Sequence, residues 1–167
     1  MVVFRGYILV YTLTVFVQEV IRALNKHRVK YVLVGGYAVA LHGAVRGTVD
    51  VDIAIALNRA TFKRAENALL EIGLESRLPV TAEEVFSFRE EYIRKRHLTA
   101  WSFANPGNPL EVVDILITED ANKIAVVNKS AFGMSVRIAA IRDLIAMKKK
   151  AGRAQDLEDI KALRKLR

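Results

Sequence analysis

The sequence predicts an α/β (α+β) fold: a small mixed β-sheet flanked by helices, closed by two C-terminal helices. Three observations predict it. Short apolar, β-branched runs at residues 29–34, 49–57 and 110–117 read as buried strands. Segments of helical periodicity lie between and around them. The last thirty residues carry two further helical patterns separated near Gly152. A length of 167 residues suits a single domain, 1–167, with a core of its own.

The elements follow in order. Phe16, Val17, Val20, Ile21 and Leu24 recur at helical spacing within residues 14–27. Residues 7–17 (YILVYTLTVFV) are almost wholly apolar, but eleven residues fall short of the about 20 that span a bilayer. Gln18, Glu19 and Arg22 follow with no small-residue cleavage site, so a signal peptide is not indicated either. The β-branched and aromatic content of this run suggests an extra strand or an interface segment, with residues 1–13 as an N-terminal extension. Residues 29–34 form a strand that Gly35-Gly36 ends. Residues 37–42 read as a helix stopped by Gly43. Residues 49–57 (VDVDIAIAL) alternate as a strand. Asn58 or Thr61 caps a helix to about Ile72, closed by Gly73. Residues 79–94 are a loop and a helix. Residues 98–104 and 110–117 form a hairpin around Asn105-Pro106-Gly107-Asn108-Pro109. A short strand at 134–137 precedes helices at 141–150 and 154–166.

Composition narrows the function classes. Apolar residues make up 52% and charged residues 26%, a globular balance. The absence of cysteine excludes disulfides, thiolate metal sites and thiol nucleophiles, and fits a cytoplasmic protein. A net charge of +8 favours anionic partners such as nucleotides or RNA. Residues 139–167 hold nine Lys/Arg against four Asp/Glu.

Alternation along residues 49–57 puts Asp50 and Asp52 on one strand face, with Val51, Ile53 and Ile55 turned to the core. Two carboxylates projecting together repel, and a divalent cation resolves the conflict. Mg²⁺ (or Mn²⁺) takes one or two carboxylates plus substrate phosphates. Asp114, alone within Val112-Val113-Asp114-Ile115-Leu116, is a third acid in an apolar strand. If the strands are neighbours, three carboxylates converge as metal ligands, enough for one ion at the attacking hydroxyl and one at the triphosphate. Gly35 and Gly36, at a strand end opening a helix, offer backbone N–H groups to phosphate. Arg46 and Thr48 precede the acidic strand as candidate phosphate contacts, balanced against a surface arginine and a β-favouring threonine. Of Lys148, Lys149 and Lys150, one at most can face the cleft. Asp156 and Asp159, three apart on one helix, can orient Lys148 or Arg153 by ion pairing.

VLVGGYAVALHG followed by RGTVDVDIAI resembles the signature of the DNA polymerase β-type nucleotidyltransferase superfamily. Within it the chain is similar to the small AbiEii-like group: EVVDILI matches the third-carboxylate strand, and LIAMKKKAGRAQDLEDIKAL matches the Lys…Arg…Asp-x-x-Asp helix pair. The resemblance spans residues 15–166. It implies transfer of a nucleoside monophosphate from an NTP to an acceptor hydroxyl with release of pyrophosphate. By position, Asp50, Asp52 and Asp114 would be the catalytic metal ligands, with Asp114 also a base. Gly35 and Gly36 would cradle the triphosphate, and Lys148 and Arg153 would be the basic nucleotide contacts. Many active members carry Gly-Ser where this chain has Gly35-Gly36, although Gly-Gly variants occur. The acceptor is left open between an RNA or tRNA end, a protein and a small molecule. The alternative reading is an antitoxin-like partner of a HEPN-type toxin with little turnover, for which residues 7–17 would suit an interface or a homodimer.

Overall fold

A seven-stranded mixed sheet runs through the protein in the order β3-β4-β5-β2-β1-β7-β6. The computed structural model describes residues 2–166, with side chains described from residue 14. Along the chain the elements are α1 (Val2–Lys26), β1 (Tyr31–Leu33), α2 (Gly35–Leu41), β2 (Val51–Ile55), α3 (Arg59–Glu71), β3 (Glu75–Ser76), α4 (Ala82–Ser87), α5 (Arg89–Arg96), β4 (Ala100–Asn105), β5 (Asn108–Asp120), β6 (Val126–Ala131), β7 (Met134–Ala139), α6 (Ile141–Ala151) and α7 (Ala154–Lys165).

Several of these elements depart from the sequence expectation, among them the two-residue β3 and the later start of β2. Residues 7–17 lie within α1, so they are not an extra strand. Phe16, Val17, Val20, Ile21 and Leu24 are all buried along one stripe of that helix. This tertiary anchoring at helical period outweighs the β-leaning composition of the preceding turns. Residues 1–13, read as an extension or interface segment, have side chains outside the described set. The strand at 134–137 proves to be one arm of a hairpin, β6–β7, with Val126 level with Ala139 and Ala131 with Met134. The β6 arm is mostly exposed and polar, so it lacks the apolar run that marks a strand.

β1 pairs antiparallel with β2 and parallel with β7. β2 pairs parallel with β5, which turns through the Asn105–Asn108 hairpin from antiparallel β4. Burial alternates along β4 and β5: Trp101, Phe103, Val113, Ile115 and Ile117 are fully buried on one face. There Trp101 meets Phe103 edge-on at 4.6 Å and stacks with Phe62 of α3 at 6.3 Å. The other face of β4–β5 carries Ala100, Ser102, Asp114 and Leu116, all half-buried. That less covered face, between the sheet and the α6–α7 pair, is where the chain's chemistry gathers. No helix among the described residues is long and apolar enough to cross a membrane.

The cap of α3 is Asn58, whose Oδ1 accepts from the Thr61 N–H at 2.9 Å and also from the Thr61 hydroxyl at 3.0 Å. Loss of such a cap costs about 1 kcal/mol. Asn58→Ala should therefore lower the thermal midpoint by roughly 2–4 °C for a chain of this size, measured by circular dichroism. An unchanged midpoint would show that α3 is held by its buried face alone.

Candidate active site

The pairing of β2 with β5 sets the site. Asp52 is level with Asp114 across the parallel ladder, flanked by the buried pairs Val51–Val113 and Ile53–Ile115. Opposed residues on adjacent strands share a face, so the two carboxylates stand side by side. Asp50 lies one residue before β2, exposed, rather than on the strand itself. It stands at the lip of the cleft, within electrostatic reach of both other acids.

Burial first, then the charges of Asp114 and Asp50, pushes the Asp52 carboxyl up to about 6, against Lys148 and a Gly36 N–H hydrogen bond that pull it down. Partial desolvation and Asp114 raise Asp50, with Arg77 opposing. Asp114 Oδ1 is buried with no hydrogen-bond partner among the described residues. The hydroxyl of Tyr37 is likewise buried without a partner, and burial together with Asp50 raises it to about 12.

The glycines fit against these acids. Gly35 opens α2 with φ +62°, a conformation that favours glycine. A Cβ built there would stand 2.6 Å from Asp52 Cβ and closer still to its carboxylate. Gly36 is equally confined: a Cβ there would stand 2.7 Å from Thr48 Cβ and closer to the Thr48 hydroxyl. The space that a serine side chain would take at position 36 is thus already filled by Thr48. Arg46 reaches the same spot, with one guanidinium nitrogen 3.3 Å from the Gly36 Cβ position.

The basic side of the cleft is a buried network. Lys148 on α6 is 5% exposed and turns inward; Lys149 and Lys150 are exposed, yet Lys150 also borders the cleft, 3.3 Å from Glu119, so two of the three lysines reach it where the sequence allowed one. Lys148 Nζ donates to Asp156 Oδ1 at 2.9 Å and lies 2.8 Å from Asp159 Oδ2. Arg46 Nε pairs with Asp159 Oδ1 at 3.1 Å. Arg153 Nε donates to Asp156 Oδ2 at 2.8 Å, and its backbone N–H reaches the same oxygen at 3.1 Å. Burial alone would raise Asp156, but the hydrogen bonds from Arg153 and Lys148 hold it down at about 2. Asp156 in turn raises Arg153. The loop before β2 and both C-terminal helices are thereby tied together through Asp156 and Asp159. His42 is a packing residue, its Nε2 2.8 Å from the Ala139 carbonyl.

Gly35, Asp52, Asp114, Lys148 and Arg153 all border one cleft of about 530 Å³. The sequence readings of these five therefore meet in space, with Arg46, Thr48 and Gly36 one layer behind and Asp50 at the lip. Thr99, Ala100 and Leu116 complete the cleft's floor and had not been read from sequence. Nothing in the local pattern marks Thr99 or Leu116, which reach the cleft through the pairing of β4 with β5.

The donor set fits a hard divalent cation. It consists of carboxylate oxygens, one of them buried without a partner, that repel one another as they stand. Among the described residues no three His, Cys, Asp or Glu side chains are already gathered around one point. The ready-made part is the Asp52–Asp114 pair, and one or two carboxylates with substrate phosphates is the usual complement of Mg²⁺.

No protein-family model and no curated protein matches the chain. Solved structures do. A solution structure of the antibiotic-resistance factor ANT(2'')-Ia aligns over 92% of this chain and 83% of that one, with TM-score 0.65 and 11% identity. A crystal structure of ANT(2'')-Ia with adenylyl-2''-tobramycin aligns over 91% and 87%, with TM-score 0.61 and 12% identity. An antigenic nucleotidyltransferase-like protein from Paracoccidioides brasiliensis aligns over 92% and 73%, with TM-score 0.54 and 17% identity. At such identities the likeness establishes the architecture: this is a nucleotidyltransferase fold, as the sequence pattern implied.

Two outcomes follow from the packing. The unfolded chain ionises Asp52 near its ordinary 3.8, whereas the folded chain does so near 6. The metal-free fold therefore carries the full charge penalty above pH 6, and sheds it as pH falls toward 4. Asp52→Asn should raise the thermal midpoint in EDTA at pH 8, with the gain falling to about a third at pH 4.5 and vanishing toward pH 3. A gain equal at both pH values would sink this account. Separately, Gly36→Ser should destabilise by about 1–3 kcal/mol through overpacking against Thr48. The cost should shrink in a Thr48→Gly background, a coupling that urea unfolding of the double-mutant cycle would measure.

Proposed function

We propose that this chain is a metal-dependent nucleotidyltransferase, moving a nucleoside monophosphate from an NTP to an acceptor hydroxyl with release of pyrophosphate. The observation that carries the reading is the level pair Asp52–Asp114, with Gly35 packed against Asp52, in a cleft that Lys148 and Arg153 also border. An acidic wall and a basic wall within one cleft suit a cation-bound triphosphate, and little else among common metabolites calls for both at once.

Asp52 and Asp114, with Asp50 from the lip, would hold Mg²⁺ or Mn²⁺, which supplies charge neutralisation at the reacting phosphate. Lys148 and Arg153 would bind the phosphate chain, oriented by Asp156 and Asp159. Thr48 and Arg46 stand against Gly36 and would offer a hydroxyl and a guanidinium where many related enzymes use a serine. In the transfer, the acceptor oxygen forms a bond to the α-phosphorus as the bond from that phosphorus to the α,β-bridging oxygen breaks. Pyrophosphate leaves with the electron pair, and the hydroxyl proton passes to a cleft carboxylate, for which Asp114 is the candidate. ANT(2'')-Ia with its adenylyl-tobramycin shares the fold and lends weight to adenylyl-type transfer without fixing the acceptor here.

Replacing any one of Asp50, Asp52 or Asp114 by Asn should reduce Mg²⁺-dependent transfer of label from α-labelled NTPs by about a hundredfold or more, the scale of losing a charge-stabilising group. The assay is incorporation into the RNA, protein and small-molecule fractions of a cell extract. A wild-type protein that labels none of them with any NTP would refute the enzyme reading and favour a binding role instead.

A further inference from the structure

Tyr37 carries a polar group that neither the core nor the cleft accounts for. It is the third residue of α2, directly after Gly35 and Gly36, and its ring packs into the hydrophobic core at 8% exposure. The ring alone serves that packing, and a phenylalanine would supply it without a polar atom. The hydroxyl is buried and has no hydrogen-bond partner among the described residues. Buried hydroxyls nearly always find one, and a lone one costs the fold its lost hydration. Burial and the charge of Asp50 raise Tyr37 to about 12, so the hydroxyl keeps its proton and stays a donor throughout the neutral range.

Asp50 is the acid of the site that lacks a holder. Asp52 lies on the β2–β5 ladder, packs against Gly35 and accepts from the Gly36 N–H. Asp114 is fixed by ladders on both sides, level with Asp52 and with Ser102. Asp50 precedes β2 and is exposed, and no hydrogen bond holds its carboxylate among the described residues. Two charged groups act on it in opposite senses: Asp114 repels it and Arg77 attracts it. Arg77 is exposed, whereas Tyr37 is buried and does not border the cleft. To join a cation with the other two acids, Asp50 must turn inward. A carboxylate that gives one oxygen to a cation keeps a second that can accept a hydrogen bond.

We propose that Tyr37 is the positioning residue for Asp50: its hydroxyl donates to one oxygen of that carboxylate and leaves the other to the cation shared with Asp52 and Asp114. Tyr37 acts through Asp50 and touches neither NTP nor acceptor. The proposal rests on the cation site of the transferase reading above and adds the group that orients its most mobile ligand. An outer hydrogen bond of this kind fixes a metal ligand's orientation and is worth about 10- to 100-fold in metal affinity.

The test uses the full chain and follows Mn²⁺ binding by electron paramagnetic resonance, which needs no turnover. Tyr37→Phe should weaken Mn²⁺ binding about tenfold. Its thermal midpoint in EDTA should equal or exceed that of the wild type, because the hydroxyl it loses has no internal partner. In an Asp50→Ala background the same change should have no further effect on Mn²⁺, since the two residues act as one unit. Mg²⁺ should shift part of the wild-type tyrosine absorption to the red, as a phenol donating to a carboxylate does, and that difference band should be missing from Tyr37→Phe. Mn²⁺ binding unaltered in Tyr37→Phe would overturn the assignment and leave the transferase reading intact. So would a loss as large in the Asp50→Ala background as in the wild type. A wild type that binds no Mn²⁺ would overturn the cation site and this assignment together. Binding that depends on Tyr37, in a protein that transfers nothing, would uphold this assignment and sink the transferase reading alone.

Discussion

Everything in this molecule's site depends on one repulsive constraint: β2 and β5 run parallel with Asp52 and Asp114 at the same level. The apolar residues on either side of each acid are fully buried and lock that register. A slip of β2 by one residue would drive Asp52 into the core and Val51 out of it, and a slip of β5 would do the same to Asp114 and Val113. The sheet thus spends hydrophobic burial on holding two like charges together. That arrangement gains nothing for the fold, and burial, together with the charges of Asp114 and Asp50, raises the Asp52 carboxyl to about 6. Strain of this kind persists where the surrounding structure over-determines it, and it supports the proposed cation site.

The basic wall obeys the opposite rule. Lys148 is nearly as buried as a core residue, yet it faces two carboxylates, and each of those faces an arginine. Removing one member of such a network strands a buried charge, at about 3–5 kcal/mol, so the network is rigid as well as polar. Its geometry also fixes three chain segments at once, since Arg46 precedes β2, Lys148 lies on α6, and Asp156 and Asp159 lie on α7. The C-terminal helices are therefore part of the site's frame, and they hold Lys148 in a defined orientation, while their other lysines and arginines stay exposed.

Much of this was legible in the sequence because it is written in short-range pattern. Lone acids in apolar strands, a glycine pair at a strand end and a Lys…Arg…Asp-x-x-Asp helix pair are all local signals, and the residues they flag border one cleft. What escaped is what pairing decides. Alternation places Asp50 on the strand, but the pairing of β2 with β5 begins only at Val51, level with Val113. The β6–β7 hairpin and two-residue β3 carry too little apolar surface to announce themselves. Residues 7–17 looked β-prone, yet the stripe from Phe16 to Leu24 commits the whole segment to α1. Gly36 looked like the loss of a useful hydroxyl. Only the fold reveals that Thr48, twelve positions along, stands where that side chain would be.

The two walls together explain why neither is neutralised by the other. Asp52 feels Lys148, but weakly compared with burial and its fellow acids, because Lys148 is already held by Asp156 and Asp159. Had Lys148 paired with Asp52 directly, the cleft would be self-satisfied and a cation or a phosphate would have to break that pair to enter. By committing its buried lysine to a second pair of aspartates, the chain keeps its acids unpaired and its bases aligned. A triphosphate with its metal carries both complementary charges and can meet both walls without displacing any internal partner. In the proposed site the supporting aspartates would thus matter as much as the acids themselves, because they keep Lys148 from pairing with Asp52.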